Sequence, residues 1–98
     1  MLKIRQAALE LSKLNLEEAV SCTINLAFRL KNGVKASSSL TFPGSKKDFA
    51  YWSPEQWAKH IRKARKQRGH GKLEAVTVDY RINHWKMAIT HHIELTGK

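Results

Sequence analysis

Apolar positions alternate most regularly between residues 19 and 30. Val20, Cys22, Ile24, Leu26, Phe28 and Leu30 take the even places, and Ser21, Thr23, Asn25, Ala27 and Arg29 the odd ones. A period of two with one apolar face predicts a half-buried strand. The run 34–42 keeps the same parity through Val34, Ala36, Leu40 and Phe42, with Lys31-Asn32-Gly33 between the two. Strands that share a core face must pair even with even. Leu30 is then expected opposite Val34, Phe28 opposite Ala36, and Ile24 opposite Leu40. That register needs a three-residue loop with Gly33 left-handed at a bulge. A two-residue Asn-Gly turn would send the two apolar sets to opposite faces.

A second hairpin is expected over 73–82 and 85–95. Val76, Val78, Tyr80 and Ile82 lie on one parity, and Trp85, Met87, Ile89, Ile93 and Leu95 on the other. The switch of parity requires an even loop. Asn83-His84 as a two-residue turn puts Ile82 opposite Trp85 and Tyr80 opposite Met87, and a four-residue loop keeps that register.

Helical spacing appears twice. Ile4, Ala7, Ala8, Leu11 and Leu14 recur on one stripe over 3–14, interrupted by Leu9 and stopped at Asn15. The stretch 53–68 carries the stronger signal: Ser53 as N-cap, Pro54 at the first helical position and Gln56 completing a capping box. Trp52 and Trp57 are placed for a hydrophobic staple across that cap. Gly69 marks the stop. Residues 43–48 read as a surface loop begun by Pro43 and Gly44. The expected class is α+β in the order α-β-β-α-β-β. It would form a four-stranded, mostly antiparallel sheet with helices on its apolar face.

Ninety-eight residues leave room for one hydrophobic core, and an apolar fraction of 42 % is that of a folded chain. Residues 1–98 are therefore read as one small basic domain. No segment approaches the roughly 18 apolar residues of a membrane span. The opening Met1-Leu2-Lys3-Ile4-Arg5 is not followed by the apolar stretch of a signal peptide. The lone Cys22 leaves no internal disulfide and fits a reducing, cytoplasmic compartment. Its place in the apolar register makes it a core thiol.

Charge changes the picture. The chain carries 18 Lys and Arg against 8 Asp and Glu, a net of +10. Lys59, Arg62, Lys63, Arg65, Lys66, Arg68 and Lys72 fall within fourteen residues that hold no acid. On a helix, Trp57, Ile61 and Ala64 share one stripe, continued by Arg68 near the end. Lys59, Arg62, Lys63 and Lys66 cluster opposite, with Arg65 and His60 on the flanks. A face that merely keeps a protein soluble mixes both signs, and this one does not. Such a ridge suits phosphates, because bound Lys and Arg release condensed counterions. The Gly69-His70-Gly71-Lys72 loop is placed to lie against the same backbone.

Tyr51 and Trp52 stand beside this ridge and are candidates to stack on bases. Trp57, Tyr80 and Trp85 fit apolar registers and are expected in the core. The five histidines raise metal binding and acid–base cleavage of RNA. His91 and His92 point to opposite faces of a strand, however, and no Cys-x-x-Cys, His-Glu-x-x-His or carboxylate cluster is present. No metal or other cofactor is expected.

Three functions fit. The leading one is a non-catalytic nucleic-acid-binding accessory protein using Lys59, Arg62, Lys63, Arg65, Lys66, Arg68 and Lys72, with Tyr51 and Trp52 beside them. DNA and RNA are not distinguished. The second is a small inhibitor or adaptor, of the kind mobile elements encode, docking on an acidic protein surface. The third is a histidine-based ribonuclease. Oligomeric state is left open.

Overall fold

A computed structural model describes residues 2–14, 16, 18–42 and 47–96. Its elements are α1 (Ile4–Ser12), β1 (Ser21–Arg29), β2 (Lys35–Phe42), a 3-10 turn (Lys47–Tyr51), α2 (Pro54–Gln67), β3 (Lys72–His84) and β4 (Met87–Thr96). The expected α+β order holds. All strand pairs are antiparallel, and the sheet order is β2-β1-β3-β4. Residues 43–46 of the expected loop, and the expected helix stop at Asn15, lie outside the described residues.

The first hairpin follows from parity. Ile24 pairs with Leu40 and Phe28 with Ala36. The Leu30 N–H donates to the Val34 carbonyl at 2.9 Å. Gly33 has φ +82°, the left-handed conformation that the three-residue loop demands. Asn32 Oδ1 accepts from the Val34 N–H at 3.1 Å, a short side-chain brace typical of turns.

Even-numbered residues of β1 and β3 form the floor of the core. Cys22, Ile24, Leu26, Phe28, Val76 and Val78 are buried there beneath Ala7, Ala8 and Leu11 of α1 and Trp57, Ala58, Ile61 and Ala64 of α2. Phe49 is buried in the same core, edge-on to Trp57. At the start of β3, Ala27 pairs with Ala75 but Phe28 with Leu73, so Glu74 is the extra residue of a bulge. Arg29 binds that residue with two parallel contacts, Nε to Oε2 at 3.0 Å and Nη2 to Oε1 at 3.1 Å.

The second hairpin departs from expectation. Its two-residue turn is Trp85-Lys86, so that His84 pairs with Met87, Ile82 with Ile89 and Tyr80 with His91. The parity of both strands is as read, but the register is shifted by four residues. A turn placed two residues further out adds rungs to the ladder. Those gains are set against a left-handed Trp85, φ 57°, a costly conformation for a bulky side chain. β1 reaches β3 only as far as Arg81. From Ile82 onward the hairpin is therefore a two-stranded ribbon beyond the helices. Trp85, expected in the core, is instead 92 % exposed at its tip, because the turn lies beyond the part of β3 that β1 covers.

Candidate nucleic-acid interface

α2 owes its position to its start. Ser53 Oγ accepts from the Gln56 N–H at 3.3 Å, and Gln56 Oε1 accepts from the Ser53 N–H at 2.8 Å, a complete capping box. Its end is equally defined. The His70 N–H donates to the Arg65 carbonyl at 2.9 Å around Gly69, φ +98°. Between these points, docking through Trp57, Ile61 and Ala64 turns the opposite side to water.

Lys59, Arg62, Lys63, Lys66 and Arg68 are exposed and Arg65 is half-buried. Among the described residues, none of these six lies within ion-pair distance of a carboxylate. Lys72, at the first position of β3, is also exposed and carries no such pair among the described residues. Arg65 and Lys66 gain from the negative end of the helix dipole, which offsets part of their repulsion.

Packing of α1 beside α2 brings in two cations that helical phase along α2 alone does not reveal. Lys3, Arg5, Arg62, Arg65 and Lys72 line one open groove of about 460 Å³, floored by Leu2, Ile4 and Leu73. Arg5 and Arg62 also border a neighbouring groove of about 500 Å³ at the start of α2, where Glu55 lies. The cationic surface is thus a ridge with a channel beside it. Only the pairing of the two helices could show this, since Lys3 and Arg5 stand some sixty residues away in the chain.

The other sequence candidates divide. Tyr51 is 66 % exposed at the end of the 3-10 turn, so its ring is open to a ligand. Trp52 is half-buried and meets Trp57 edge to face, with its ring also 5.2 Å from that of His60. Much of its surface therefore serves the staple. The glycine loop also has a structural task. A Cβ on Gly71 would come within 2.8 Å of the Arg29 carbonyl oxygen, so this glycine lets β3 approach the protein's own β1. Gly71 is accordingly buried, while Gly69 and His70 before it are exposed.

Histidine chemistry is dispersed. His92 Nδ1 donates to Asp79 Oδ1 at 2.5 Å on the helix-free face of the sheet, and its pKa is raised by that hydrogen bond. His91, on the opposite face, stacks on Tyr80 with centroids 4.8 Å apart. His60 is wedged against Trp52 and Trp57, where burial and then the Lys63 charge lower its pKa; its Nε2 is buried with no hydrogen-bond partner among the described residues. Among the described residues no two histidines share a hydrogen bond or ring contact. No group of three or more His, Cys, Asp or Glu that could hold a metal occurs among them either.

Cys22 is buried, and burial pushes its thiol up to about 11, far from a reactive thiolate. No helix among the described residues is long and apolar enough to cross a membrane. Compared with protein-family models, curated proteins and solved structures, the chain matches none.

Proposed function

We propose that this protein is a non-catalytic nucleic-acid-binding accessory protein that grips phosphates with the solvent face of α2. One observation carries the reading: Lys59, Arg62, Lys63 and Lys66 stand together in water, and no carboxylate of the described residues neutralises them. A net +10 concentrated in this way attracts a polyanion at long range and exchanges counterions at contact. Arg5, Arg65 and Lys72 extend the contact into the α1–α2 groove, where a second row of phosphates finds donors. The lack of any converging acid–base pair among the described histidines favours binding over cleavage. Phosphate contacts position a ligand without reading its bases, so the protein is expected to tolerate many sequences. Cytoplasmic residence fits the buried, unpaired Cys22.

The test is a titration of the protein with duplex DNA, single-stranded DNA and RNA of equal length over a range of salt. Binding that weakens steeply with salt supports the proposal and ranks the three ligands. Indifference to all three at physiological salt, with retention of one defined acidic protein instead, would favour the inhibitor or adaptor reading.

A further inference from the structure

We propose that β4 is a self-association edge, pairing antiparallel with β4 of a second copy about a two-fold axis through Thr90. This goes beyond the nucleic-acid reading and does not depend on it. β4 ends the sheet order, so half of its amides and carbonyls face away from β3. Edge strands of monomers are normally guarded by lysine, proline or a bulge. The ten residues Met87–Thr96 contain no Lys, Arg or Pro, and their ladder with β3 runs without a register shift. β1, β2 and β3 contain Arg29, Lys35, and Lys72 with Arg81, so among the four described strands β4 alone has no Lys or Arg; His92 on it already faces its own Asp79.

That charge pattern points to a second copy of this chain. A protein of net +10 repels itself over most of its surface and can approach a copy only where cations are missing. Apolar area is available at the same edge: Met87 is 69 % and Ile89 40 % exposed on the ribbon beyond the helices.

Charge also selects the register. An axis at Thr90 sets Met87 beside Ile93 of the second copy and Ile89 beside its His91, and brings Lys86, the turn residue just before the strand, to the end of the new ladder next to Glu94. Opposite charges then meet across the new strand pair, and apolar side chains meet on the helix side. Moving the axis to His91 would face that imidazole with its own copy and leave Glu94 opposite Ala88. The axis is normal to the sheet, so the helices of both copies lie on one side of an eight-stranded sheet. Two α2 ridges then face the same way.

Sedimentation equilibrium of the full chain, without nucleic acid, tests this over a dilution series. A monomer–dimer equilibrium is expected. Ile89→Lys should weaken it at least tenfold while circular dichroism stays unchanged. Glu94→Lys should weaken it several-fold, and adding Lys86→Glu to that variant should restore it, since the swapped charges again oppose. A chain that remains monomeric throughout the series overturns the proposal. So does a dimer indifferent to both Ile89→Lys and the Glu94→Lys exchange. Because no nucleic acid is present, neither result bears on binding by α2.

Discussion

Trp52 and Trp57 meet edge to face across the Ser53 cap, their ring centroids 4.9 Å apart and their planes at 73°. Phe49 joins both rings, at 6.3 and 6.1 Å. This staple fixes the angle at which α2 enters the fold, and with it the direction of the cationic face. Trp57→Ala should cost about 3–5 kcal/mol of stability by the usual penalty for emptying an aromatic core site. Ser53→Ala should cost about 1 kcal/mol through loss of the cap. Urea unfolding measures both. Binding per folded molecule should be unchanged in Ser53→Ala, because the cap touches none of the cations.

Gly71 tests the close approach of β3 to the first hairpin. A methyl group there meets the Arg29 carbonyl oxygen at 2.8 Å, and a backbone atom cannot swing aside as a side-chain end would. Gly71→Ala is expected to lower stability by about 1–3 kcal/mol, in the range of overpacked sites. An unchanged midpoint in urea would show that the strands separate more easily than the geometry suggests.

Two histidines should give stability opposite pH dependences. The His60 pKa is depressed below the ordinary 6.5 by burial and Lys63. Its contribution is complete above 6.5 and is lost as pH falls through the depressed value. The His92 pKa is raised above 6.5, first by its hydrogen bond to Asp79. Its contribution is complete below 6.5 and is lost as pH rises through the raised value. Proton NMR should show His60 titrating below, and His92 above, an exposed histidine. His92→Gln should flatten the decline of melting temperature on the alkaline side, and His60→Gln the decline on the acid side.

Arg5 separates the groove from the ridge. It lies on α1, outside the cationic run of α2, yet borders the same cavity as Arg62 and Arg65. Arg5→Ala should weaken nucleic-acid binding and reduce the salt slope by about 1, as expected for one lost phosphate contact. An unaltered slope would confine the contact to the ridge.

How much of this was legible in the chain depended on whether parity alone sufficed. It did for β1 and β2, where Gly33 left one loop length compatible with a shared core face. For β3 and β4, parity restricts the register only to steps of two residues and leaves the turn free to slide, and the turn preference of Asn83 pointed inward. The longer ladder, with Tyr80 on His91 and Asp79 on His92, outweighed a left-handed Trp85. The α2 ridge was readable because capping and helical phase are local. The part played by Lys3 and Arg5 was not, because it arises from which helix faces which. Gly71 looked like a ligand-facing glycine, and only the nearness of Arg29 reveals its structural use.

The most direct measurement is the salt dependence of nucleic-acid binding by the native chain and by the triple variant Lys59→Glu, Lys63→Glu, Lys66→Glu. If about five phosphates are contacted on duplex DNA, log K should fall with log salt at a slope of roughly −4 to −5. The triple variant, folded as judged by circular dichroism, should show no measurable binding. Native-like affinity in that variant, or a slope near zero in the native chain, would contradict the account.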